Sequence, residues 1–201
     1  MTDLPAQLLT RYIGCFYQHP MSIELGSALR DSLSRGQLYS KIQAVNAVAD
    51  VKEQRALEKF NAVFLGHWHG LLPRMFHHAD LIDRAVGIEA DAFWATFSDS
   101  MNYDWQWRSI VGDATSYTIP ADTTLVVNTS CEHMSDDWLS AVPVGAYVCA
   151  QSTNYEHPTH INTVQSQEEF SLRFNNFEII YSYACRYDVY DRFTIVAQRT
   201  Q

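Results

Sequence analysis

Phe177-Glu178-Ile179-Ile180-Tyr181-Ser182-Tyr183-Ala184-Cys185 and Phe193-Thr194-Ile195-Val196-Ala197-Gln198 are two β-rich stretches separated by only seven residues, 186–192. Adjacent parallel strands need a crossover of about a dozen residues or more, whereas antiparallel strands need only a turn. The pair is therefore an antiparallel hairpin closing the chain.

Upstream of the hairpin, Ser166-Gln167-Glu168-Glu169 has capping-box spacing and opens a helix with Phe170 and Phe174 on one side. Residues 146–151 read as a strand, and 124–128 as a continuous apolar run of the kind buried on both faces, with a short helix over 134–141 between them. From Asn61 the order is strand 62–65, glycine turn, helix 71–79, strand 85–89, helix 92–100 and strand 109–112. Such βαβαβ alternation implies a parallel sheet. An α/β domain with a mostly parallel seven-stranded sheet and an antiparallel last strand is expected over residues 61–201.

Before it the signals are helical. Leu25, Leu29 and Leu33 recur after Ser22 as N-cap, with Gly36 as the stop, and Ile42, Val45 and Ala49 mark the next helix. Asp50 and Glu53 have capping-box spacing for a further helix over 51–60. Residues 1–60 thus read as a helical appendage that forms a lid on the catalytic domain.

With 47% hydrophobic residues in 201, the chain can build one sizeable core but not two ordinary catalytic domains. A net charge of -9 repels phosphate backbones and anionic lipid heads, which argues against nucleic-acid and membrane partners. There is no apolar run of the roughly 18 residues a membrane span requires, and Met1-Thr2-Asp3-Leu4-Pro5 lacks the basic-then-apolar pattern of a leader, so a cytoplasmic protein is expected. Cys15, Cys131, Cys149 and Cys185 show no C-x-x-C spacing and are expected as reduced, mostly structural thiols.

An open parallel sheet closed by an antiparallel last strand resembles the Rossmann-like fold of the class I S-adenosylmethionine-dependent methyltransferases, over roughly 61–198. After the first strand, Phe64-Leu65-Gly66-His67-Trp68-His69-Gly70 is similar to the family's glycine-rich motif, with Trp68 in place of the usual middle glycine. The turn lacks G-x-G-x-x-G spacing, so dinucleotide binding is poorly supported. The resemblance implies that Gly66, His67, Trp68 and Gly70 lie against the cofactor. It also implies that Glu89, in Val86-Gly87-Ile88-Glu89, accepts from the ribose hydroxyls, while Asp91 is the better N-cap for the next helix. In Ile110-Val111-Gly112-Asp113-Ala114, Asp113 corresponds to the acid that accepts from the adenine amino group and Ala114 to its neighbour at the ring. Asn128, in Val126-Val127-Asn128-Thr129-Ser130-Cys131-Glu132-His133, occupies the usual reactive-loop position, serving both cofactor and acceptor.

Other residues invite competing readings. His67, His69, His77 and His78 lie within twelve residues, but no Cys or carboxylate set completes a metal-ligand spacing, so no metal is expected. Cys131, Glu132 and His133 suggest a thiol and a base, yet adjacent side chains do not normally meet from a strand-to-helix turn. Tyr12, Phe16, Tyr17, Trp68, Phe93 and Trp94 are core candidates, of which one or two could face a sulfonium. In the loop after the fifth strand Tyr155 is the preferred proton-handling residue, ahead of His157 and His160, and Ser182 stands near the end of the sixth strand.

The resemblance implies methyl transfer from S-adenosylmethionine to a small-molecule acceptor. Two alternatives stay open. In one, Asn128, Tyr155 and Ser182 aim the cofactor's own amine at its γ-carbon, giving azetidine-2-carboxylate and methylthioadenosine from S-adenosylmethionine alone. In the other, the fold persists as a non-catalytic binding module, a reading prompted by the missing middle glycine.

Overall fold

The computed structural model describes residues 6–20 and 22–201, so the amino-terminal segment on which the absence of a leader was argued lies outside the described residues. Three helices, α1 (Ala6–Tyr17), α2 (Ile23–Ser32) and α3 (Arg35–Gln54), come first. They are followed by β1 (Phe60–Leu65), α4 (Leu71–His78), β2 (Ile82–Glu89), α5 (Ala92–Asn102) and β3 (Gln106–Val111). The chain continues with β4 (Leu125–Asn128), a 3-10 turn (Cys131–His133), α6 (Trp138–Ala141), β5 (Tyr147–Thr153), α7 (Gln167–Leu172), β6 (Phe177–Arg186) and β7 (Asp191–Arg199).

The seven strands form one sheet in the order β3-β2-β1-β4-β5-β7-β6. The first five pair in parallel, and β7 runs antiparallel to both β5 and β6. The chain therefore has the Rossmann-like methyltransferase architecture, with the last strand inserted between β5 and β6 rather than left at the edge. Composition explains the insertion. Phe193 to Ala197 is buried without a break, whereas β6 is mostly exposed, so the strand that is apolar on both faces takes the interior place.

Side chains alternate between two cores with the period of two that strands impose. Ala62, Phe64, Val127 and Val196 face α1, α3, α4 and α5, while Val63, Leu65, Val126 and Ile195 face Trp138, Phe170 and Phe174. Leu8, Tyr12, Phe16, Val45, Val48 and Val51 belong to the first of these cores, so α1 and α3 cover one face of the sheet. A buried polar link fixes α3 in place: Gln151 Nε2 donates to Ser40 O at 2.9 Å, and Ser40 Oγ donates to Gln151 Oε1 at 3.2 Å.

Two helix boundaries differ from expectation. Gly36 does not stop a helix; it is the second residue of α3, whose N-cap is Ser34. A Cβ there would lie 2.3 Å from Tyr190 Oη, so the glycine answers a close approach and not a chain break. Asp50 opens no new helix either, because α3 runs on to Gln54. The deciding magnitudes are about 0.5–2 kcal/mol for a cap against about 1.5–3 kcal/mol for each buried valine, and Val45, Val48 and Val51 form one continuous stripe through the supposed break. The helix expected over 134–141 is shortened to Trp138–Ala141, because Met134 is extended after the 3-10 turn. Among the described residues no helix is long and apolar enough to cross a membrane. All four cysteines are free thiols.

Candidate functional site

The strand order reverses between β1 and β4, and a crevice forms outside the carboxyl ends of strands at such a switch point. Leu65 pairs with Ile88 and with Asn128, and Glu89 pairs with Val111, so these strand ends share one edge. A cavity of about 740 Å³ opens there. Its walls come from Gly66, His67 and Trp68 after β1, Glu89 and Ala90 at β2, Asp113 and Ala114 after β3, and Thr129, Ser130, Glu132 and His133 after β4. Asp31, Gln37, Ser40 and Lys41 complete the wall from the amino-terminal helices, and Arg192 from β7.

The turn after β1 takes the left-handed conformation three times, at Gly66 (φ 62°), Trp68 (φ 52°) and Gly70 (φ 79°). Trp68 thus adopts a backbone shape that glycine takes freely, at a cost of about 1–2 kcal/mol for a residue with a Cβ. Its N–H donates to Glu89 Oε2 at 2.7 Å, and its indole packs against His69 and Trp94, with centroids at 4.2 and 5.7 Å. Gly66 lets the turn approach Ser130, whose Cβ would lie 3.4 Å from an added Cβ. Gly70 is not on the cavity wall; it precedes α4, where a Cβ would lie 2.1 Å from Ser98 Oγ on α5.

Glu89 also receives the N–H of Asp91 on Oε1 at 3.2 Å. Burial raises its pKa, opposed by these backbone N–H groups. Asp91 takes the capping role expected of it, accepting from Phe93 N and Trp94 N at 2.8 and 3.2 Å. Asp113 is exposed at the cavity rim; its Oδ1 accepts from Thr115 N and Oγ1 at 2.9 and 2.8 Å, and these bonds lower its pKa. Ala114 lines the wall beside it.

His67 lies over Gly87, where an added Cβ would stand 2.2 Å from the imidazole, and meets Trp107 edge-on at 5.1 Å. Burial pushes its pKa down to about 3, so the ring is neutral. His69 is fully buried beside Tyr12, 5.0 Å away, and desolvation likewise pushes it well down. His77 stacks on Trp105 at 4.4 Å. These histidines serve as packing rings.

Besides Gly70, three expected site residues are not brought to the cavity. Asn128 is buried and braces the loop after β4, its Oδ1 accepting from Ser130 N at 3.0 Å and its Nδ2 lying 3.3 Å from Met134 Sδ. Tyr155 is 44% exposed and packs on Tyr190 and His160 outside the cavity lining. Ser182 sits opposite Ile195 in the middle of the exposed strand β6, which continues to Arg186. The strand ends one residue beyond the expected Cys185, so Ser182 stands four residues before its end.

Sequence reading missed a buried charged group at the floor of the cleft. Arg192 Nη1 donates to Glu132 Oε1 and its Nη2 to Thr129 O, each at 2.5 Å. Lys41 Nζ donates to Gln37 Oε1 at 2.7 Å. Burial, with a further push from Arg192 and opposition from Asp31, brings the Lys41 pKa down to about 7. One signal was available: Lys41 stands in the stripe of Ala44, Val45 and Val48, a lysine on an apolar helix face. Arg192 offered none, because its position depends on the register of β7.

No family model and no curated protein sequence matches the chain. Solved structures do. N-methyltransferase NodS from Bradyrhizobium japonicum WM9, in complex with S-adenosyl-L-homocysteine, superposes with a TM-score of 0.67 at 9% identity, covering 86% of this chain and 91% of its own. Geranyl diphosphate C-methyltransferase from Streptomyces coelicolor A3(2) gives 0.64 at 14% identity over 90% and 86%. The 1,6-didemethyltoxoflavin-N1-methyltransferase of Burkholderia thailandensis gives 0.62 at 12% identity over 100% and 94%. At such identities the likeness establishes the fold.

Proposed function

We propose that the chain binds S-adenosylmethionine in this cavity and transfers its methyl group to a small-molecule acceptor. The observation that carries the reading is the assembly, on one wall, of the left-handed turn after β1, Glu89 at the end of β2 and Asp113 after β3. Each Glu89 oxygen holds one backbone N–H and, as a carboxylate oxygen, retains acceptor capacity for a ribose hydroxyl. Asp113 uses Oδ1 internally, which leaves Oδ2 to the adenine side. The volume lies within the range of about 300–1,000 Å³ typical of small-ligand sites. All three fold neighbours named above are methyltransferases, and all three were solved with S-adenosylhomocysteine bound.

The cofactor supplies an electrophilic methyl sulfonium; the protein's share is to orient, desolvate and manage a proton. The opposite wall, from α2 and α3, is the acceptor side, and the assignment of residues 1–60 as a lid on the domain over 61–201 belongs to this proposal. Lys41, whose pKa burial brings down to about 7, is positioned to accept the proton an acceptor loses. The residues on which self-cyclisation would depend, Asn128, Tyr155 and Ser182, are not on the cavity wall.

Calorimetry with S-adenosylhomocysteine tests the binding. Glu89→Ala should weaken it about 10- to 100-fold, the worth of hydrogen bonds to a charged group. Unchanged affinity in both Glu89→Ala and Asp113→Ala would remove the reading. Methylthioadenosine formed from S-adenosylmethionine alone, detected by mass spectrometry, would replace methyl transfer with cyclisation.

A further inference from the structure

A second group of polar side chains sits where the cavity meets the loop after β5. Glu132 is 3% exposed; Arg192 occupies its Oε1, while Oε2 is buried without a hydrogen-bond partner. Beside it the rings of His133 and His160 meet edge-on at 4.5 Å. One donor atom from each of Glu132, His133 and His160 lies within 4.8 Å of the other two.

The hydrogen bonds of the two imidazoles fix their tautomers. His133 Nδ1 is 3.2 Å from Thr159 O and His160 Nδ1 is 2.6 Å from Tyr155 O. A carbonyl only accepts, so each Nδ1 carries the hydrogen, and each neutral ring keeps its lone pair on Nε2. An imidazole donating its other N–H to a backbone carbonyl is the usual support of a metal-bound histidine. The loop carrying His160 is itself anchored to the turn carrying Glu132: Ile161 N and Asn162 N donate to Glu132 O at 2.9 and 3.1 Å, and Asn162 Nδ2 to Met134 O at 2.9 Å.

We propose that Glu132, His133 and His160 bind a divalent transition-metal ion of the zinc class at the edge of the cavity. Two imidazoles and one carboxylate suit such an ion better than magnesium or calcium, which prefer all-oxygen sites. Donors on one tetrahedral ion at about 2.1 Å stand about 3.4 Å apart, so closure draws donors that now lie within 4.8 Å together by up to about 1.4 Å, a movement the exposed His133 ring can make by rotation. Three protein ligands leave a coordination position for a small molecule. Glu132 and His133 line the cavity, so that molecule is an acceptor bearing an oxygen or nitrogen donor. This last step rests on the proposed function; the metal site does not.

The sequence hid this group because its members are 28 residues apart, from Glu132 to His160, and the conspicuous histidines lie elsewhere. The test is titration of the tag-free, chelator-treated full chain with Co2+, read by visible d–d absorption and calorimetry. One equivalent should bind and be displaced by Zn2+. His133→Ala and His160→Ala should each weaken binding by about tenfold or more, and His78→Ala should leave it unchanged. No d–d band, or equal affinity in the double variant His133→Ala/His160→Ala, overturns the site. Circular dichroism and S-adenosylhomocysteine calorimetry on the same variants keep the two readings apart. Loss of Co2+ with retained nucleoside binding supports the metal site, whereas Co2+ binding by a wild-type chain that ignores S-adenosylhomocysteine removes only the proposed function.

Discussion

The backbone N–H of Trp68 and the carboxylate of Glu89, 2.7 Å apart, join the turn after β1 to the end of β2. That bond holds a bulky residue in a left-handed conformation at the lip of the cavity. The turn therefore presents an indole at the lip while its backbone takes a conformation that glycine adopts freely.

Substitution at Trp68 separates the two effects. Trp68→Ala and Trp68→Gly both lose the indole contacts with His69 and Trp94, but only alanine retains the penalty of a positive φ. Trp68→Gly should be the more stable of the two by about 1 kcal/mol, measured by urea denaturation. Equal stabilities would mean that the turn is not left-handed at this position in solution.

Lys41 sets a pH dependence with a definite sign. Its pKa is about 7 in the folded chain, against an ordinary 10.5. Below pH 7 the lysine is protonated in both states and the burial penalty is fully present. Between 7 and 10.5 the unfolded chain binds the extra proton, so stability rises with pH across that window. Lys41→Met should stabilise the protein by a few kcal/mol at pH 6, with the gain fading toward pH 10.5 in thermal melts. If Lys41 takes the acceptor's proton, the wild-type methylation rate should also rise through about pH 7, and that rise should be absent from the variant.

Arg192 is largely buried against Glu132, with side-chain exposures of 12% and 4%. Removing one partner of such a pair leaves an uncompensated charge, so Arg192→Met should cost about 3 kcal/mol. Adding Glu132→Gln should recover part of that loss, because the stranded charge is gone. A double variant less stable than Arg192→Met by the full cost of the second change would show that the two side chains are not coupled.

Tyr155→Phe and Ser182→Ala should leave S-adenosylhomocysteine affinity within about twofold of wild type, since a surface substitution usually changes energies by no more than about 0.5 kcal/mol. Both residues lie outside the cavity lining. A tenfold loss in either would return them to the site.

Local pattern decided much about this protein. The short gap between the last two strands required a hairpin, the alternation after Asn61 required a parallel sheet, and Asp91 was legible as a cap because capping depends on a few successive residues. The turn after β1, Glu89 and Asp113 were legible for the same reason: each sits at the end of a strand, and parallel strands bring their carboxyl ends to one edge.

Register and packing decided the rest. Whether Ser182 lies at a strand end depends on how far β6 continues beside β7, and whether Asp50 starts a helix depends on the valines that α3 buries against the sheet. Lys41, Glu132, His160 and Arg192 stand far apart in the chain and meet only because α3, the loops after β4 and β5, and β7 converge on one rim. Sequence by itself determined the sheet and the strand-end residues, whose positions follow from local periodicity; only the tertiary structure decided the charged floor and the histidine pair, because long-range contacts leave no periodic trace in the chain.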